Sequence, residues 1–98
     1  MKTKIFNTYV DKVCYLFGIE KDMLFTKTKR RDVVDARQLL FYLCRKRPMG
    51  LVYIQEYMMS NGFSVHLSTI HHGIKIVESR MVGDKDWYEN IQEIVNEV

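Results

Sequence analysis

The stretch RRDVVDARQLLFYLC, at residues 30–44, decides the fold. Its apolar residues recur at intervals of three and four, which is typical of a helix that buries one side. We expect Asp32 to cap this helix. The cations at residues 45–47, followed by Pro48 and Gly50, end it, because cations favour the C-terminal end and proline cannot continue a helix. The predicted inward stripe comprises Val33, Ala36, Leu40, Leu43 and Cys44.

Two helices are predicted before this segment. The first ends at Gly18, a residue suited to a left-handed C-terminal cap, and its inward side comprises Phe6, Tyr9, Val10, Val13, Leu16 and Phe17. A short second helix fits residues 20–25. The next six residues, TKTKRR at 26–31, are polar and strongly basic, so they indicate a loop.

Three helices are predicted after it. A fourth over about 51–59 leads into the turn signal Ser60-Asn61-Gly62. A fifth begins near Ser64 or Val65, and Asp84 caps an acidic sixth over about 84–97. No stretch alternates strictly between apolar and polar residues, so we predict an all-α fold of about six helices in one domain, 1–98. The inward stripes of the last two helices comprise Leu67, Ile70, Ile74 and Val77, then Trp87, Ile91, Ile94 and Val95.

Composition places the chain among globular proteins with a core of their own. The chain has 98 residues, of which 47% are hydrophobic and 28% charged, a balance that does not require disulfides. Cys14 and Cys44 lie in apolar stretches, so we expect buried free thiols. No apolar run has the length of a membrane span, and the basic start is interrupted by polar residues too early for a signal peptide. These features favour an intracellular, reducing compartment.

Charge is distributed unevenly along the chain. Residues 1–47 carry twelve Lys or Arg against five Asp or Glu, a balance of +7, whereas residues 48–98 carry three against seven, a balance of −4. Such asymmetry predicts a basic surface for a polyanionic partner and an acidic surface elsewhere. We expect the acidic sixth helix to face away from that partner.

The fourth and fifth helices have the outline of a helix-turn-helix. In that motif the first helix holds the second, which presents its N-terminal residues to base edges in the major groove of duplex DNA. The free N–H groups of the second helix also favour phosphate.

Two motifs resemble a known family, the C-terminal DNA-binding domain of the bacterial DnaA replication initiator. Residues 30–43 are similar to the helix that opens that domain, with a basic cluster, a Val pair, Arg-Gln and Tyr-Leu. Residues 68–73 (STIHHG) resemble the end of the family signature. The similarity covers about 9–78, and it implies a Trp-repressor-like helical fold that binds double-stranded DNA. The initiator's ATPase module has no counterpart here, since the chain lacks a phosphate-loop sequence.

The chain departs from the family pattern in three places. His66-Leu67 replaces Asp-His, a pair that supplies base contacts, so the target sequence of the family does not carry over. Ile54-Gln55 replaces Ile-Gly. The segment from Ile54 to Ile70 is about four residues longer, which implies either a larger turn or an extra turn of the fourth helix.

The resemblance assigns roles that compete with structural explanations. It implies that the basic loop contacts phosphates, that Arg37 reaches the minor groove, that residues 66–69 enter the major groove and that His72 lies near a phosphate. The loop is otherwise a solvated charge run, Ser68 and Thr69 are otherwise local caps, and Leu67 otherwise belongs to the core. The candidate DNA-binding residues are Lys27, Lys29, Arg30, Arg31, Arg37, His66, Leu67, Ser68, Thr69 and His72.

Catalysis and metal binding find no support in the sequence. His66, His71 and His72 are not spaced to share one helical face, and no carboxylate completes a metal set. No nucleophile has an evident base. We expect no enzyme activity, cofactor or metal. Double-stranded DNA is the expected partner, in replication initiation or its regulation in the bacterial cytoplasm or nucleoid. Other replication or phage proteins are further candidate partners. The alternatives are a small transcriptional regulator and a protein-interaction or virion-associated module that has lost DNA binding.

Overall fold

The central helix α3 spans Arg31–Lys46 and packs between α1 (Lys2–Phe17) and α5 (Leu67–Gly83). Every residue of its predicted stripe is buried, and Leu39, Phe41 and Tyr42 are buried as well. A helix buried on so much of its circumference lies inside the protein rather than at its surface. α3 is therefore the frame on which the other helices are placed.

The computed structural model describes residues 1–97, and these residues form six helices without a strand. The predicted all-α class is confirmed; Val98, part of the predicted domain, lies outside the described residues. The helices are α1 Lys2–Phe17, α2 Lys21–Leu24, α3 Arg31–Lys46, α4 Leu51–Ser60, α5 Leu67–Gly83 and α6 Lys85–Glu97.

Helix α1 ends where the sequence predicts. Gly18 has φ 64°, a left-handed conformation that favours glycine, and its N–H donates to the Tyr15 carbonyl at 3.3 Å. The predicted inward side is buried as far as Val13, but Leu16 is 37% exposed. Leu16 lines a shallow surface depression together with residues of α6, so its assignment to the core was wrong.

The two cysteines differ in environment, although both are free thiols, as predicted. Cys44 is fully buried, and burial raises the pKa of its thiol to about 12. Cys14 is only half-buried, which corrects the expectation that both would be interior. Since the thiolate is the reactive form, the Cys44 side chain acts as a small apolar group.

The connection between α4 and α5 is longer than a tight turn. α5 begins at Leu67, two to three residues later than predicted, because residues 63–66 lie outside the helices and serve as connection, with His66 extended. Val65 is buried, and its carbonyl accepts a hydrogen bond of 2.8 Å from Gln55 Nε2. The six residues 61–66 therefore connect α4 to α5.

Helices α3 and α5 approach closely at Gly73, which is buried. A Cβ atom there would lie 3.2 Å from Gln38 Cγ and 3.2 Å from Phe41 Cδ2. Such distances leave almost no room for a side chain. Gly73 thus fixes how near α5 lies to the central helix.

Helix α6 covers the C-terminal part of α5. The Asp84 carboxylate accepts the Trp87 N–H at 3.0 Å, so the predicted cap is confirmed. Trp87, Ile91 and Ile94 are buried, as predicted, and Val95 packs against the core while half-buried. Among residues 1–97, no helix has both the length and the apolar composition that crossing a membrane requires.

Candidate nucleic-acid interface

A cleft of about 340 Å³ separates the basic loop, residues 26–31, from the N-terminal end of α5. Its floor is apolar, with Phe41 and Phe63, and its rim is polar and cationic. The residues that line it include no carboxylate. The cleft brings together half of the ten predicted site residues, namely Lys29, Arg37, His66, Thr69 and His72.

Arg37 lies inside the structure, with 7% of its surface exposed. Its guanidinium donates to the carbonyl of Leu24 at 2.8 Å, to that of Thr28 at 3.3 Å, and to that of Thr26. The charge is retained because arginine does not deprotonate in proteins, although burial lowers the pKa of the Arg37 guanidinium. Arg37 therefore holds the loop from within.

This placement differs from the expectation that Arg37 reaches outward to a minor groove. The physical reason is the hydrogen bonding of the backbone. The carbonyls of Thr26 and Thr28 in the loop and of Leu24 in α2 turn inward, and each needs a hydrogen-bond donor there. A guanidinium supplies several donors in one plane. In this structure the groups of the loop that extend into solvent are the side chains of Lys27, Lys29, Arg30 and Arg31.

The exposed cations of the loop fall into two classes. Lys27 and Lys29 line a second depression together with Arg37 and Phe63. Arg30 instead donates to both oxygens of Asp32, at 3.1 and 2.7 Å. The Arg30 guanidinium thereby lowers the pKa of the Asp32 carboxyl.

Asp32 does not occupy the cap position that the sequence predicts for it. Arg30 lies there without a side-chain cap, and Asp32 lies in the first turn of α3, where its carboxylate accepts the Val33 N–H at 2.9 Å. Arg31, with 90% of its side chain exposed, lies 3.7 Å from Asp35. Two carboxylates thus accompany the two arginines of the loop.

The N-terminal end of α5 is open to solvent. His66 is the N-cap residue, and its side chain makes no cap hydrogen bond. The first N–H groups of the helix are therefore available to an acceptor from outside. His66, Thr69 and His72 face the cleft, while Ser68 is exposed at the same end. Leu67 is 39% exposed, so its prediction as an inward residue was wrong, and its side chain is accessible at the surface.

Sequence reasoning missed Phe63, which forms part of the cleft. Its ring centroid lies 4.3 Å from the Arg37 guanidinium carbon. The signal was present, since a phenylalanine directly after an Asn-Gly turn rarely stays in solvent without a partner. Gln55 was noticed as a departure from the family pattern, but its hydrogen bond to the connection was not foreseen.

A metal centre finds no structural basis in the described part of the chain. No group of three or more His, Cys, Asp or Glu side chains in residues 1–97 is arranged to hold an ion. His66 and His72 share the cleft with a lysine and a buried arginine instead. These neighbours favour an anionic ligand.

Comparison with known proteins agrees with this geometry. The family described as "Bacterial dnaA protein helix-turn-helix" matches residues 7–77. The chain is 31% identical over 83 residues to the chromosomal replication initiator protein DnaA of Bacteroides thetaiotaomicron. That alignment covers 84% of this chain and 17% of the relative. No solved structure matches the chain. With α4, the connection and α5 arranged as described and most of the chain matched, the protein belongs to the bacterial DnaA helix-turn-helix family.

Proposed function

We propose that this protein binds double-stranded DNA in the bacterial cytoplasm and acts in the initiation of replication or its regulation. The observation that carries the proposal is the cleft between the basic loop and α5, which is lined by two cations on the loop side, by two imidazoles on the α5 side and by no carboxylate. A phosphate backbone is the polyanion that suits such a surface. Membership of the DnaA helix-turn-helix family supports the same partner.

Each side of the cleft has its own role in this proposal. Lys27, Lys29, Arg30 and Arg31 neutralise phosphates, because they are exposed and basic. The N-terminal residues of α5 approach base edges in the major groove, where an imidazole, a hydroxyl or a methyl-binding leucine discriminates between base pairs. His66, Leu67, Ser68 and Thr69 occupy that end, and His72 lies one turn further along the cleft.

In this proposal Arg37 has a different role from the minor-groove contact that the family resemblance implies. Its guanidinium is occupied by three carbonyls of the basic loop and its neighbourhood. We therefore assign it to positioning of the loop rather than to DNA contact. The exposed cations of the loop, next to the carbonyls that Arg37 binds, then contact the DNA backbone.

The test is a fluorescence anisotropy titration of random and selected duplexes at low and moderate salt. We expect binding that weakens steeply as salt rises, since phosphate contacts release counterions. Lys29→Ala should weaken binding to all sequences equally and reduce the salt slope by about one. Lys85→Ala, which removes the same charge from α6, is the matched control and should leave affinity unchanged.

The opposite result has a clear meaning. Absence of salt-sensitive binding at micromolar protein would contradict the proposal. The second candidate, a protein-interaction module, would then be favoured by the outer side of α4. Val52, Tyr53 and Met59 are each about half exposed there, at 53%, 47% and 57%.

A further inference from the structure

We propose that Phe63 is a positioning residue that locks the basic loop to the connection leading into α5. Through its contact with Arg37, it keeps the two sides of the cleft at a fixed separation. The inference rests on the proposed DNA-binding function, and it explains what holds the two sides of the proposed DNA-binding cleft in place. The contact joins residues far apart in the sequence, one in α3 and one in the connection.

The Arg37 guanidinium uses its edges and its face for different partners. Its N–H groups donate in the plane to the Leu24, Thr26 and Thr28 carbonyls. Its Cζ atom lies over the Phe63 ring, 4.3 Å from the centroid. A planar cation permits both contacts at once, and a contact with an aromatic ring strengthens as water is excluded. One side chain therefore joins the loop to the connection.

Phe63 is itself held in place by the helix-turn-helix. Its N–H donates to the Met58 carbonyl of α4 at 3.0 Å. Two residues later, Val65 is buried and accepts the Gln55 amide at 2.8 Å. The backbone on which the ring is mounted is thus anchored to α4, and it continues directly into α5.

The basic loop depends on this attachment because its other bonds are local. The Thr26 hydroxyl donates to the Asp22 carbonyl at 2.7 Å, and the Arg30 N–H donates to the Thr28 hydroxyl at 3.2 Å. Neither bond reaches α4 or α5. Lys27 and Lys29 lie two residues apart in this loop, and the repulsion between their charges favours an open loop. A loop that is already ordered loses less entropy on binding than a mobile one.

Three variants test the proposal. Phe63→Leu keeps an apolar side chain but removes the aromatic face, and Phe63→Trp keeps that face. Phe17→Leu is the matched control, since Phe17 is also a half-buried phenylalanine, with its ring 5.9 Å from that of Trp87 in the α1–α6 region.

The first measurement is limited trypsin cleavage of the native chain. Lys27, Lys29, Arg30 and Arg31 offer trypsin sites within the loop, and cleavage reports the population of the open loop. The second measurement is the Kd for duplex DNA. For Phe63→Leu we expect the loop cleavage rate to rise about tenfold. The Kd should rise by a smaller factor, because it increases only as the fraction of protein with a closed loop falls. Phe63→Trp and Phe17→Leu should each stay within about twofold of the native protein in both measurements.

The outcomes separate this inference from the proposed function. If the native protein binds no duplex, the proposed function fails, while the trypsin rates still decide whether Phe63 holds the loop. If the native protein binds but Phe63→Leu changes neither rate nor Kd, the inference is overturned. It is also overturned if Phe17→Leu speeds loop cleavage as much as Phe63→Leu does, because cleavage would then follow global unfolding.

Discussion

The two ends of α5 have opposite surroundings. At the N-terminal end, residues 66–69 are exposed, the N-cap side chain makes no hydrogen bond, and no carboxylate lines the adjacent cleft. At the C-terminal end, Val77 is buried, and Arg80 lies 3.5 Å from Asp35 and 4.2 Å from the Trp87 ring centroid. One end is available to a ligand, whereas the other is tied to α3 and α6 through Arg80.

The contrast shows how one helix serves both stability and recognition. α5 has 17 residues, which corresponds to a length of about 25 Å. Over that distance, packing of the C-terminal part against α3 and α6 fixes the direction in which the N-terminal part projects. Substitutions at the two ends should therefore separate stability from DNA affinity.

The largest effect is expected at the crossing where the anchored part of α5 begins. Gly73→Val should lower the free energy of unfolding by about 3 kcal/mol, because the new atoms meet Phe41 and Gln38. Denaturant unfolding followed by circular dichroism measures this loss. Gly73→Ala is the control; its gain in helix propensity of about 1 kcal/mol offsets much of the crowding. Equal stability of the two variants would show that the helices do not approach so closely.

A smaller effect is expected at Arg80, within the anchored end. Arg80→Ala removes the contacts with Asp35 and Trp87, but the side chain is 44% exposed. Solvent screening therefore limits the loss of unfolding free energy to about 1 kcal/mol. The Kd for duplex DNA should stay within about twofold, since the site is distant. A large loss of affinity at unchanged stability would contradict the separation of the two ends.

The smallest effect on stability is expected at the open end. Thr69→Ala should change the free energy of unfolding by less than about 0.5 kcal/mol, because the side chain is exposed. It should nevertheless raise the Kd for duplex DNA about fivefold through loss of a hydroxyl contact. Ser79→Ala, which removes an exposed hydroxyl near the other end of α5, should change neither quantity. Equal Kd values for both variants would place the DNA surface elsewhere.

Periodicity predicted the helices because each one contributes a continuous apolar stripe to a single core. The stripe of α3 and the caps at Gly18 and Asp84 follow from residues close in sequence, and the structure has them. The start of α5 was misplaced because the residues before it are held by Gln55, ten positions earlier. The spacing of apolar residues near the start of α5 does not show a hydrogen-bond partner that lies in another helix.

Five of the predicted site residues line one cleft, but the interior position of Arg37 among them was not predicted. Position 37 is four residues after Val33 and three before Leu40, so the helical period alone places Arg37 inward. Its charge and the family resemblance favoured the outside instead. The inward position of Arg37 is set by the backbone carbonyls before α3 that accept its hydrogen bonds, together with the Phe63 ring from the connection. Both arise only when the chain is folded.

The carboxylates beside the loop arginines have a consequence for how the protein meets DNA. Asp32 and Asp35 partly neutralise Arg30 and Arg31, so among the loop cations Lys27 and Lys29 contribute most of the field that a distant duplex experiences. Close contact then requires each arginine to exchange one anionic partner for another. On arbitrary DNA the protein would then dissociate quickly. It would stay bound for long only at sites where α5 also contacts the bases.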